Sequence, residues 1–174
     1  MAIWQFKVLV IPEPALIKKF GTIPVSVTRD LVEGIDWWAE SHLVESVEGI
    51  ISSVLPERKS WSRSMRIWGE ERSDCMLILY HDENKHKIQE IEFRFDVRKV
   101  SLPFVHRATE FAKRFQCVFI PRSYHVIAPD ELLVLAEIEK STAKKYVQNP
   151  ISTVVNLKSE QAEVIPFPKK IDKK

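Results

Sequence analysis

The chain has 174 residues, with 26 lysines and arginines against 24 acids and a formal net charge of +2. Its 45% hydrophobic and 29% charged content excludes wholesale disorder, and its length suits one domain with a core of its own. The near-zero charge removes any global case for a nucleic-acid protein, and no apolar run approaches the ~18 residues of a membrane span.

Ile3 to Ile11 alternates loosely, with Trp4, Phe6, Val8 and Val10 on one parity, and predicts a first strand ended by Pro12 and Pro14. Ala15 to Phe20, closed by Gly21, predicts a single helical turn. Between Thr22 and Ala39 the pattern allows a short strand at Val25-Ser26-Val27 and a turn of helix after Thr28 or Asp30.

A clear helix is predicted from Ser41 to Leu55, with Ser41 as N-cap and Pro56 as stop. Its stripe is Leu43, Val47, Ile50 and Val54, widened by Ile51 and Leu55, with Glu45, Glu48, Ser52 and Ser53 opposite. Three strands follow. Trp61 to Trp68 alternates, Cys75 to Tyr80 is apolar on both parities, and Ile91, Phe93, Phe95 and Val97 alternate with Glu92, Arg94, Asp96 and Arg98. Short polar connections predict an antiparallel meander.

A second helix begins near Ser101, with Pro103 in its first turn and the stripe Phe104, Ala108, Phe111 and Phe115. Cys117 to Ile120 predicts a short buried strand, and Pro129 to Val147 a third helix ended by Asn149-Pro150. The expected fold is α+β: a single domain over 1–157, an antiparallel sheet with helices on its apolar face, and a loose tail over 158–174.

Catalytic motifs are absent. Four glycines build no phosphate cradle, and no His-Glu-x-x-His, Cys-x-x-Cys or Gly-x-Ser-x-Gly occurs. No cofactor and no metal site are expected. His81 and His86 flank a polar turn and offer two ligands, but a solvated turn explains them more simply. Cys117, with His125 or His106 as base, offers a nucleophile, yet it opens the apolar run Val118-Phe119-Ile120 and reads as a small core residue, as does Cys75. The sequence leaves open a small enzyme with an unrecognised cysteine or carboxylate site.

Charge distribution says more. Asp30 to Glu57 carries seven acids and no lysine or arginine, with Trp37-Trp38 inside it, and Arg58, Lys59, Arg63 and Arg66 then reverse the sign. A like-charged block is usually a solvated face, but acids around an aromatic also suit a basic partner. The candidate surface is therefore Asp36, Trp37, Trp38, Glu40, Glu45 and Glu48, with one tryptophan of the pair expected near the surface. A rival surface on the sheet collects Arg66, Trp68, Arg94, Asp96 and Arg98, where arginines and an indole would hold nucleic acid. Glu92 and Asp96 would repel phosphate there, so cross-strand pairing is the simpler account.

Asp36-Trp37-Trp38, Ser60-Trp61-Ser62, Ile67-Trp68-Gly69, Asp96-Val97-Arg98 and Lys144-Lys145-Tyr146-Val147-Gln148-Asn149-Pro150 form a set. As a set they resemble an uncharacterised family of small bacterial proteins, across most of the chain up to Pro150. In size, acidic patch and lack of catalytic motif the chain also looks, in kind, like the immunity proteins of bacterial toxin systems. That likeness implies a cytoplasmic binding protein without catalytic activity that engages a basic partner, such as a toxin, and it carries no residue roles.

Overall fold

A computed structural model describes residues 2–40, 44–84, 86–151 and 153. The chain order is β1 (Gln5–Pro12), α1 (Glu13–Phe20), α2 (Arg29–Gly34), α3 (Val44–Ser52), β2 (Glu57–Arg58), β3 (Met65–Gly69), β4 (Met76–His81), β5 (Ile88–Asp96), α4 (Leu102–Arg114), β6 (Cys117–Pro121), α5 (Glu131–Lys140) and α6 (Thr142–Gln148). The expected α+β class is what the chain adopts. The expected tail over 158–174 and the N-cap at Ser41 lie outside the described residues.

The strands form one antiparallel sheet in the order β2-β3-β4-β5-β1-β6. The expected meander is β3-β4-β5, and β1 completes the sheet by pairing between β5 and β6. Because β5 and β6 both run antiparallel to β1, they are parallel to each other, and α4 carries the chain across β1 between them. The α4 stripe is buried as its spacing predicts, and Ser101 caps the helix by accepting from the Phe104 amide. Phe93, 1% exposed, meets Phe104, Phe111 and Phe119 edge-on at 5.6–6.1 Å between ring centroids.

Four local expectations change. α1 makes more than the single predicted turn, running to a left-handed Gly21 at φ 77° whose amide closes on the Ile17 carbonyl. The buried α3 residues are Val44, Val47 and Ile51, followed by Leu55, so the face centres on the expected wideners Ile51 and Leu55 rather than on Ile50 and Val54, the latter 50% exposed. The third helix is broken at Ser141, which ends α5 and caps α6 by accepting from the Lys144 amide. Val25 to Val27 contributes only a bridge from Ser26 to His125.

β4 is covered on both faces, as its apolar run predicts. Leu77 and Leu79 join the main core, while Ile78 packs with Met65 and Ile67 in a separate small cluster. At the end of β3, Gly69 passes so close to β4 that a Cβ there would lie 2.5 Å from the Cys75 carbonyl oxygen. Among the described residues no helix is long and apolar enough to cross a membrane.

Candidate functional site

The acid-rich segment is displayed in two parts. Asp30 and Glu33 lie on α2, and Asp36 and Glu40 bound the turn that follows it. The Asp36 carboxylate accepts from the Trp38 amide at 3.2 Å, which folds the turn back on itself. Alternation of an extended strand therefore does not apply here, and both indoles face inward. Trp37 is 6% and Trp38 3% exposed; their Nε1 groups donate to the carbonyls of Val32 and Val10. The expectation that one of them stands near the surface is corrected. What remains accessible is an edge of Trp37, which with Asp36, Glu40, Ala15, Lys18 and Ile35 lines a cleft of about 490 Å³ against α1.

Glu45 and Glu48 sit apart from this cleft, on α3. Glu45 is exposed and lies 3.6 Å from the His86 imidazole. Glu48 is half-buried and accepts from Arg66 Nη1 at 2.7 Å, while Arg66 Nε donates to Glu57 at 2.7 Å. Other cations come in from outside the acidic run. Lys18 pairs with Glu40, and Arg29 with Glu33, both on the surface. Asp30 and Asp36 have no ion-pair partner among the described residues.

The rival sheet surface is divided by register. Arg66 stands opposite Leu79 and Ile91, and Trp68 opposite Leu77 and Phe93, so both belong to the face that α3 and α4 cover. Arg94 pairs across from Met76, on the other parity, together with Glu92 and Asp96. Trp68 is fully buried and its Nε1 donates to the Ser52 hydroxyl at 3.0 Å, with Arg66 stacked 5.5 Å from its ring. Arg98, beyond the strand, lies 4.6 Å over the Trp4 ring and pairs with Asp74 and Asp96. No joint Arg/Trp platform forms.

On the outer face Glu92, expected to pair across strands, is also fully buried. Glu92 is 0% exposed, held between Lys7 and Arg94, whose Nη2 also donates to the Tyr80 hydroxyl. Burial raises the neighbouring Glu90 carboxyl against the pull of Lys7, with the Glu92 charge adding to the rise. Burial alone would also raise Asp96, but the Arg98 guanidinium and the amides of Arg98 and Asp74 together hold it below the ordinary carboxylate range.

Neither thiol is poised for chemistry. Burial, with Glu13 nearby, pushes Cys117 up to about 12, and its Sγ donates to the Phe115 carbonyl at 3.3 Å. Burial likewise raises Cys75. The two histidines offered as a base for Cys117 hold other partners: His125 Nδ1 faces the Ser123 carbonyl and His106 pairs with Glu131 at 2.7 Å. His81 and His86 do not face each other. His81 is fully buried with Nδ1 against the Asp82 carbonyl, whereas His86 is exposed. Among the described residues no three histidine, cysteine or carboxylate side chains converge as metal ligands.

One further aromatic lies inside the motif Ser60-Trp61-Ser62. Trp61 is 71% exposed, in the loop between β2 and β3. Its flanking serines, Ser60 and Ser62, mark a polar loop tip, which is the signal that distinguishes it from the core tryptophans. No family model, no curated protein and no solved structure matches the chain.

Proposed function

We propose that this chain is a cytoplasmic binding protein without catalytic activity, of the immunity-inhibitor kind, whose acidic α2–α3 surface receives a basic protein such as a toxin. The observation that carries the reading is the exposure of Asp30, Asp36 and Glu45 with no lysine or arginine partner among the described residues. The pairs Arg29–Glu33 and Lys18–Glu40 are exposed and screened by solvent, so a partner's cations can replace Arg29 and Lys18 at little cost. With Trp37 and Trp38 buried, apolar contact falls to the cleft beside Trp37, where Ala15 and Ile35 line the wall. Two free buried cysteines suit a reducing compartment. The raised Cys117 thiol weighs against the nucleophilic-enzyme alternative.

The test is kinetic. The full chain, immobilised, captures its partner from the native cell, and the recovered partner is measured against Asp36→Lys and Glu45→Lys. Both reversals should lower the on-rate, most at low ionic strength, because complementary charge steers encounter. On-rates equal to the parent's at every salt concentration would reject the acidic surface as the docking face.

A further inference from the structure

The segment from Arg58, the last residue of β2, through the loop to Ser64 shows a combination found nowhere else among the described residues. Trp61 stands 71% exposed, whereas Trp37, Trp38 and Trp68 are buried and Trp4 lies under Arg98. Arg58, Lys59 and Arg63 are also exposed, and none has an ion-pair partner among the described residues. Arg66, two residues into β3, marks the contrast, since Glu48 and Glu57 neutralise it. The loop is braced by its own serines. Ser60 donates to the Ser62 carbonyl at 2.9 Å and accepts from the Ser62 amide, and the Ser62 hydroxyl accepts from the Ser64 amide and lies 3.0 Å from the Ser64 hydroxyl. A braced loop presents its indole without paying the full cost of ordering on binding.

We propose that this loop binds single-stranded nucleic acid, with the Trp61 ring stacked on a base and Arg58, Lys59 and Arg63 neutralising phosphates beside it. An exposed indole on one short segment with three exposed cations suits a flexible polyanion that offers a flat face every nucleotide. A protein hot spot is instead an aromatic sunk in a dry, well-packed surround, and here the loop neighbours are serines and cations. A membrane anchor needs more apolar area, and the loop exposes no second large apolar side chain. This site is independent of the acidic α2–α3 surface, and one can fail without the other.

The full chain is titrated with a fluorescently labelled oligothymidylate, reading both label anisotropy and tryptophan emission. Binding should quench emission, and log K should fall against log salt with a slope of about −2, the value for three phosphates on a single strand. Trp61→Ala should weaken binding about tenfold to a hundredfold and abolish the quench, while Trp61→Phe keeps most of the affinity. Arg63→Gln should reduce the slope by about 0.7. Three results overturn the proposal: no anisotropy change at low salt, oligonucleotide binding indifferent to Trp61→Ala, or blue-shifted emission on phosphatidylglycerol vesicles with no response to the oligonucleotide. The last would make the loop a membrane contact.

Discussion

Reversing Glu48 to lysine separates a structural acid from a solvated one on the same helix. Glu48 and Glu45 lie one turn-fraction apart on α3, but the Glu48 side chain is 20% exposed against Arg66 at 24%, and Glu45 is 61% exposed. Glu48→Lys removes a charge-assisted hydrogen bond at 2.7 Å, worth about 1 kcal/mol once partial exposure is allowed for. It also sets an ammonium beside a guanidinium. Two like charges 4 Å apart repel by about 4 kcal/mol at an effective dielectric of 20, and a lysine that swings outward keeps roughly a quarter to a half of that. The sum is about 2–3 kcal/mol, partly offset because Arg66 retains Glu57. Glu45→Lys should stay within about 0.5 kcal/mol of the parent. Urea unfolding followed by circular dichroism reads the difference as a midpoint about 1 M lower for Glu48→Lys, at unchanged slope. Raising salt to about 1 M should recover part of the loss, because the screening length falls to about 3 Å. If Glu48→Lys and Glu45→Lys unfold at the same urea concentration, the Arg66 bridge carries no structural weight and the argument fails.

Phe111→Ala should cost about 3–5 kcal/mol in the same assay, since its ring meets Phe93 at 5.6 Å and Phe115 at 4.7 Å between centroids; a loss under 1 kcal/mol would mean the core closes around the gap. Cys117, with its thiol raised to about 12, should resist iodoacetamide at pH 8 in the folded chain and react once the chain is unfolded in urea, as mass spectrometry would record. Asp96 is held below its ordinary value when folded, so its contribution is present above the unfolded pKa of about 3.9 and lost as pH falls through the folded one. Asp96→Asn should therefore be less stable than the parent at pH 7, with the gap closing below about pH 4; a gap that is constant from pH 7 to pH 2 would refute the assignment.

The sequence by itself determined what depends on neighbours a few residues apart. The α4 stripe of Phe104, Ala108, Phe111 and Phe115, its start near Ser101, the one-sided alternation of β5 and the two-sided burial of β4 all follow from periods of 3.6 and 2 and from backbone groups that need partners. Such periods say which residues share a face within one element. They do not say which face of the sheet that is, and this is where the rest was decided. The pairing of Trp68 with Leu77 and Phe93 sends Arg66 and Trp68 to the opposite side from Arg94, although each strand alternates as expected. Past the end of α3, Leu55 is buried and Val54 exposed, because both fit helical spacing and only the packing partners choose between them. Trp37 and Trp38 go inward because a folded turn brings each indole N–H to a carbonyl, Val32's from a few residues back and Val10's from a distant strand, whereas Trp61 stands 71% exposed in a polar loop. Charge is legible as a run along the chain, but its balance is not. Lys18 and Arg66 reach Glu40 and Glu48 from 22 and 18 residues away, a distance only tertiary structure can close.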